Sequence, residues 1–206
     1  GATTKAAGAV VVTQTETVTD AAGASASATG TITVNGGTTV AVNSLASVAV
    51  GNDAGDILTI GAIDVNGKGT ATSVSVTQSA ATSTWSAGKG IKITNGAVAI
   101  ADYGTATKTD TIASVTLHNY GASTITGNAL TTLDLSGGST NASGTLGISQ
   151  GGSLTTGAPT DLTITLSGKV GAITDTNNQY KTLSVVSAAA ATIADLDMTS
   201  VTSFTA

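Results

Sequence analysis

Cysteine and arginine are absent from the 206 residues, and histidine, glutamate, tryptophan, phenylalanine and proline occur once each. Each shortage closes a class of function. Without cysteine there are no disulfide staples and no thiolate metal sites. A single histidine, His118, cannot supply the usual nitrogen and sulfur ligands of zinc. With no arginine and a net charge of −5, the counterion release that drives nucleic-acid binding has no source. No apolar run approaches the ~20 residues that carry a helix across a bilayer, so no membrane span is expected. No charged n-region precedes an apolar h-region, so any export signal is expected elsewhere in a parent chain or lost by processing.

Threonine, alanine, serine, glycine and valine make up most of the chain. Charged residues account for 9%, against roughly 25% in an average soluble domain. Disordered chains are poor in aliphatics and rich in net charge, whereas this one is 40% apolar with a mean hydropathy of +0.30. The balance predicts an ordered fold with a thin aliphatic core. Threonine and valine are stiff at χ1 and favour strands.

Period-2 alternation runs through the sequence, as expected of strands with one buried face. Val10, Val12 and Val18 fall on one face of the first run; Val11, Thr13, Thr15, Thr17 and Thr19 fall on the other. The pattern returns at Ile32/Val34, Val40/Val42, Val74/Val76, Ile91/Ile93, Val98/Ile100, Val115/Leu117, Leu133/Leu135, Leu162/Ile164/Leu166 and Leu183/Val185. Turn signals separate these runs, among them Asn35-Gly36-Gly37, Asn66-Gly67 and Asn95-Gly96, pairs that supply the positive φ of tight hairpins. The reading is an all-β chain. Residues 1–109 are expected to form a β-sandwich-like domain. Residues 110–206 are expected to form a solenoid-like domain (a parallel β-helix), with a second sandwich as the alternative. The solenoid expectation rests on the spacing of Leu117 to Leu135 and of Leu166 to Val185. These lengths suit the coils of a solenoid, none of which can bury its own face alone, and the longer step from Leu135 to Leu166 requires one further coil between them, near Leu146 and Ile148. Ser187 to Met198, rich in alanine, is the one stretch with a helical alternative.

Three segments carry a family resemblance: Ala71-Thr-Ser-Val-Ser-Val-Thr-Gln-Ser79, Asp110-Thr-Ile-Ala-Ser-Val-Thr-Leu117 and Leu130-Thr-Thr-Leu-Asp-Leu-Ser136. Residues 70 to 206 thereby resemble the β-strand-repeat regions of Gram-negative surface-layer (S-layer) proteins and of large type I-secreted adhesin-like proteins. The resemblance implies an extracellular building block at a bacterial cell surface, often calcium-dependent, exported by a signal elsewhere in the parent chain. The tandem Gly-rich nonapeptide calcium repeats of such proteins are missing; only Gly51-Asn-Asp-Ala-Gly-Asp-Ile-Leu58 resembles one.

For chemistry, calcium prefers carboxylate and carbonyl oxygens, and the leading candidate ligands are Asp53, Asp56 and Asp64. They lie in a Gly-containing loop and in the Asp64-Val-Asn-Gly67 cluster that follows it. Asp175-Thr-Asn-Asn178 and the pair Asp195/Asp197 are lesser clusters. Asp and Asn also favour turns through side-chain-to-backbone bonds, which accounts for such clusters without any metal. Asp110, His118 and one of many serines could make a triad on paper. However, no Gly-x-Ser-x-Gly elbow is present, and an enzyme is not expected. Trp85 reads as a packing residue. Scarce aromatics argue against a lectin, although a cell-surface polysaccharide is kept as a partner candidate. The Thr-x-Thr pairs read as solvent-facing strand faces and not as a registered ice-binding ladder.

The run Ala9 to Thr19 is long, β-branched and nearly uncharged, and at a sheet edge it would invite pairing with another chain. The expected function is therefore a self-assembling structural protein, a homo-oligomer built through β edges. A stalk or ligand-binding module of a large adhesin is the alternative.

Overall fold

The computed structural model describes residues 6–19, 26–49, 54–79, 90–102, 110–138, 141–150, 158–188 and 190–206. Its elements are all strands, laid down in coils. The first coil holds β1 (Val10–Thr19), β2 (Ala26–Ala28) and β3 (Ile32–Asn35). The second holds β4 (Thr39–Ala49), β5 (Ala54–Thr59) and β6 (Ile63–Asn66). The third holds β7 (Ser73–Gln78), β8 (Gly90–Thr94) and β9 (Val98–Ala101). Two shorter coils follow: β10 (Ser114–His118) with β11 (Ser123–Thr126), then β12 (Thr132–Ser136) with β13 (Leu146–Ser149). The next are β14 (Asp161–Ser167), β15 (Lys169–Val170) and β16 (Ile173–Asp175), then β17 (Thr182–Ser187), β18 (Thr192–Ile193) and β19 (Leu196–Asp197). β20 (Ser203–Thr205) opens one more.

Stacking these coils builds two long walls. The first wall is the eight-stranded sheet β1-β4-β7-β10-β12-β14-β17-β20; the second is the seven-stranded sheet from β3 to β19. Every strand pairing described is parallel. The first three coils carry a third wall, β2-β5-β8, and a two-stranded remnant, β15-β18, appears in the last coils.

Alternation makes each wall half-buried, and register turns the buried positions into columns. Val10, Val40, Val74, Val115, Leu133, Ile164 and Val185 stack inside the first wall, and Val12, Val42, Val76, Leu117, Leu135 and Leu166 stack beside them. Val34, Val65, Ile100, Ile125 and Ile148 face them from the second wall. Together they form one continuous core from Ile32 to Met198. A separate small core, Leu58, Ile60 and Ile93 with Ala46, lies under the third wall. A polar row, Gln14, Ser44 and Gln78, marks the change along the first wall. Gln78 is buried and both donates to and accepts from the backbone of Gly96, at 2.9 and 2.8 Å.

One corner admits no side chain. Gly61, Gly96, Gly121, Gly144 and Gly171 each sit two residues before a strand of the second wall, directly against the corner of the coil above. A Cβ on Gly61 would lie 2.6 Å from the carbonyl oxygens of Thr29 and Gly30, and one on Gly121 would lie 2.6 Å from Asn95 O. Neighbouring strands are ~4.8 Å apart, and this corner has no room for more than backbone.

The all-β expectation holds, with several corrections to its detail. The tight hairpins expected within residues 1–109 do not form among the described residues. Asn35-Gly36-Gly37 instead carries the chain from one wall to the next, with Gly36 and Gly37 at φ of 76° and 109°. Pairings of β7 with β10 and β9 with β11 carry both sheets across residue 109. The difference between the halves comes from the third wall, which lengthens the early coils. No extra coil lies between Leu135 and Leu166: these two residues pair directly, and Leu146 and Ile148 belong to the opposite wall of the same coil. Val185 aligns with Ile164, not Leu166. Ser187 to Met198 contains β18, β19 and turns and no helix among its described residues.

Gly61→Ala should therefore destabilise by about 1–3 kcal/mol through overpacking, lowering the melting temperature by about 2–4 °C per kcal/mol. Gly147→Ala, whose Cβ would meet only Thr124 Cγ2 at 3.9 Å, should leave it nearly unchanged. Thermal melts followed by circular dichroism compare the two; equal shifts would remove the close-approach argument.

Candidate functional site

Of the proposed calcium ligands, Asp56 and Asp64 lie within the described residues, on different walls. Asp56 is buried in β5, on the same side of the strand as Leu58, within the third wall. Asp64 is half-buried in β6 on the second wall, between Thr33 and Ala99. Asp53 and Trp85 lie outside the described residues. No group of three or more His, Asp or Glu side chains suited to a metal occurs among the described residues.

Other carboxylates tie corners together. Asp102, 2% exposed, accepts from Gly69 N at 3.0 Å with Oδ1, and from Ile112 N at 2.7 Å and Thr111 N with Oδ2. It thereby fastens the turn after β6 to the approach to β10. Asp110 accepts from Asn128 N at 2.8 Å, and Asp175 from Tyr180 N at 3.0 Å. The Asp175 cluster is a turn, with Asn178 N donating to Asp175 O and Asn178 at φ 55°. Asp195 and Asp197 are exposed, and Asp195 accepts from its neighbour Leu196 N. The sequence gives no sign of the role of Asp102, because its partners come from two distant corners.

His118 ends β10 on the outer face, between Thr77 and Ser136 in register. Asp110 lies before the start of that strand and is buried, so the structure does not join the two. The Thr-x-Thr pairs are divided between walls. Single hydroxyls nonetheless align across the outer face of the first wall: Thr39, Ser73, Ser114, Thr132, Thr163, Ser184 and Thr205 form one column. Such a register is invisible before pairing is known.

The two ends of the first wall are open among the described residues. β1, the run singled out in the sequence, is an edge strand paired along all ten residues with β4 of its own chain. Val10 and Val12 pack against the core, and Val11 is 70% exposed. At the other end β20 pairs only with β17. Phe204 aligns with the core residue Leu183 yet is 58% exposed, with no strand beyond β20 among the described residues.

Two tyrosines serve the interior. Tyr180 donates to Leu130 O at 2.9 Å, and burial, assisted by the Asp175 charge, raises its pKa. Tyr120 is 1% exposed, and its hydroxyl is buried without a hydrogen-bond partner. Burial pushes its pKa up to about 12; Ser143 opposes this as the smaller influence, with no hydrogen bond formed in full.

Removing the Asp102 carboxylate strands the buried Ile112 amide, worth about 1–3 kcal/mol when unsatisfied, and the half-buried amides of Gly69 and Thr111. Asp102→Ala should lower the urea midpoint far more than Asp195→Ala, and equal midpoints would refute the role. A tyrosine that holds its proton more tightly when folded stabilises fully below its unfolded pKa of 10.0, and that contribution is lost as pH rises towards 12. Stability should accordingly fall over this window, less steeply in Tyr120→Phe. Urea titrations across alkaline pH read this directly.

Among the described residues no helix is long and apolar enough to cross a membrane. The chain matches no family model and no curated protein.

Proposed function

We propose that this chain is a non-enzymatic structural module of a bacterial cell surface, an extracellular building block that assembles into a surface layer or fibre. The observation that carries this reading is the pair of open ends on the eight-stranded wall. A strand edge offers a row of backbone donors and acceptors to another chain. Here the two edges differ, so contact between them is heterologous, and it propagates into a fibre wherever the rotation between copies does not close a ring. Val10 and Val12 at one end and Phe204 at the other continue the core columns. Their burial against a neighbour extends the interior that already holds the coils together. Low charge, 9% of residues, leaves little repulsion between copies. Glu16, half-buried on the Val10/Val12 side of β1, restricts favourable pairing to the first residues of that strand. That matches the three-residue length of β20.

A second reading, a stalk or ligand-binding module of a large adhesin, is favoured by the same open columns, which coils of like composition in a parent chain would cover. Calcium enters either reading as a proposed stabiliser, with Asp53, Asp56 and Asp64 as its proposed ligands, although Asp56 and Asp64 stand on different walls.

Light scattering and electron microscopy at high protein concentration, with and without millimolar calcium, test the assembly reading. Sheets or fibres are expected, and Phe204→Glu, at an exposed position, should abolish them while leaving the circular dichroism spectrum intact. A strictly monomeric protein in both conditions overturns assembly and leaves the stalk reading.

A further inference from the structure

The third wall is interrupted. Among the described residues it ends at β8 and resumes only as β15, the two intervening coils showing no strand there. The gap is a notch of about 370 Å³ lined by Lys92, Ile93 and Thr94 above, Tyr120 and Gly121 at one side, and 141–144 below. Asn95 and Gly121 complete the corner, where Gly121 N donates to Gly96 O at 2.9 Å. The lower rim is held by Ser143, whose N donates to Lys169 O at 3.0 Å and whose hydroxyl accepts from Gly171 N at 3.4 Å.

We infer that this notch binds a small polyhydroxylated carboxylate, of the class of a uronic acid or an acidic glycan residue. Three observations carry this. First, Lys92 is exposed at the rim, and among the described residues it forms no ion pair and no carboxylate lines the notch. In a chain of net charge −5 this is a local site for an anion. Second, the other polar groups are hydroxyls and amides, from Thr94, Asn95, Tyr120, Asn141 and Ser143, with Ile93 and Ala142 as apolar patches. Hydroxyls both donate and accept, as sugar hydroxyls do, and the apolar patches suit sugar C–H faces. Third, Tyr120 lines the notch beside Ser143, and its buried hydroxyl makes no full hydrogen bond among the described residues. A buried polar group in that state is destabilising, and a ligand or a water that it orders relieves this. The volume falls at the small end of ligand pockets, roughly 300–1,000 Å³. This inference does not rest on the assembly reading.

Amide chemical-shift mapping of the full chain with glucuronate, glucose and acetate as probes tests it. Glucuronate should shift residues 92–95, 120–121 and 141–144, with glucose and acetate each much weaker. Lys92→Met should weaken glucuronate binding about tenfold or more, the scale of a lost charge-assisted hydrogen bond, and added salt should weaken the wild type. Tyr120→Phe, which removes a hydroxyl with no protein partner, should fold normally and bind severalfold more weakly. Absence of glucuronate shifts overturns the site. Glucose binding as well as glucuronate overturns the anionic class, and acetate doing so overturns the sugar.

Discussion

Close approach of one coil to the next is the constraint on which the rest depends. Parallel strands stack at ~4.8 Å, and wherever the chain bends between walls the backbone of one coil rests on the backbone of the coil above. The corner before the second wall meets this limit with glycine at Gly61, Gly96, Gly121, Gly144 and Gly171. Removing Cβ there lets the walls keep register. The aliphatic columns then form, each valine or leucine covered by its counterpart one coil away. No coil buries its own face, so cohesion is a property of the stack.

Because the core is thin and aliphatic, polar groups hold the corners. Gln78 substitutes for a backbone partner at Gly96, and Asp102 gathers amides from two separate turns. A buried carboxylate is costly to desolvate, and charge-assisted bonds to several amides compensate for it. The same economy of bulky side chains makes the two buried tyrosines conspicuous. Tyr180 spans the interior to reach Leu130, whereas Tyr120 ends at the interrupted wall with its hydroxyl unpartnered. The notch and the early third wall thus have one origin, the differing lengths of the coils.

Stacking also explains why the proposed assembly involves the ends of the first wall. The columns end in different ways: Leu162 and Leu183 are followed by Phe204, whereas Leu166 is followed by the exposed Ser187. Val10, Val12 and Phe204 are interior residues by register and surface residues only by position. The outer face offers hydroxyls and little charge. The exposed apolar residues that continue buried columns therefore lie at its ends and not on its sides.

Strand content, the buried face of each strand and the poverty of charged chemistry were all legible in the sequence. Each depends on local alternation and composition, as Val10/Val12 against Val11 illustrates. The Leu117–Leu135 pairing was legible too, because a short coil leaves a short spacing. A repeated signal, glycine two residues before an apolar strand as in Gly61-Ala-Ile63 and Gly171-Ala-Ile173, was present and pointed to the second wall throughout. What only the tertiary structure decided was partnership: parallel stacking in place of hairpins, the separation of Asp56 from Asp64, the alignment of the hydroxyl column, and the notch. Alternation reports which face of a strand is buried but not which strand lies beside it. That choice is made by contacts between residues distant in sequence.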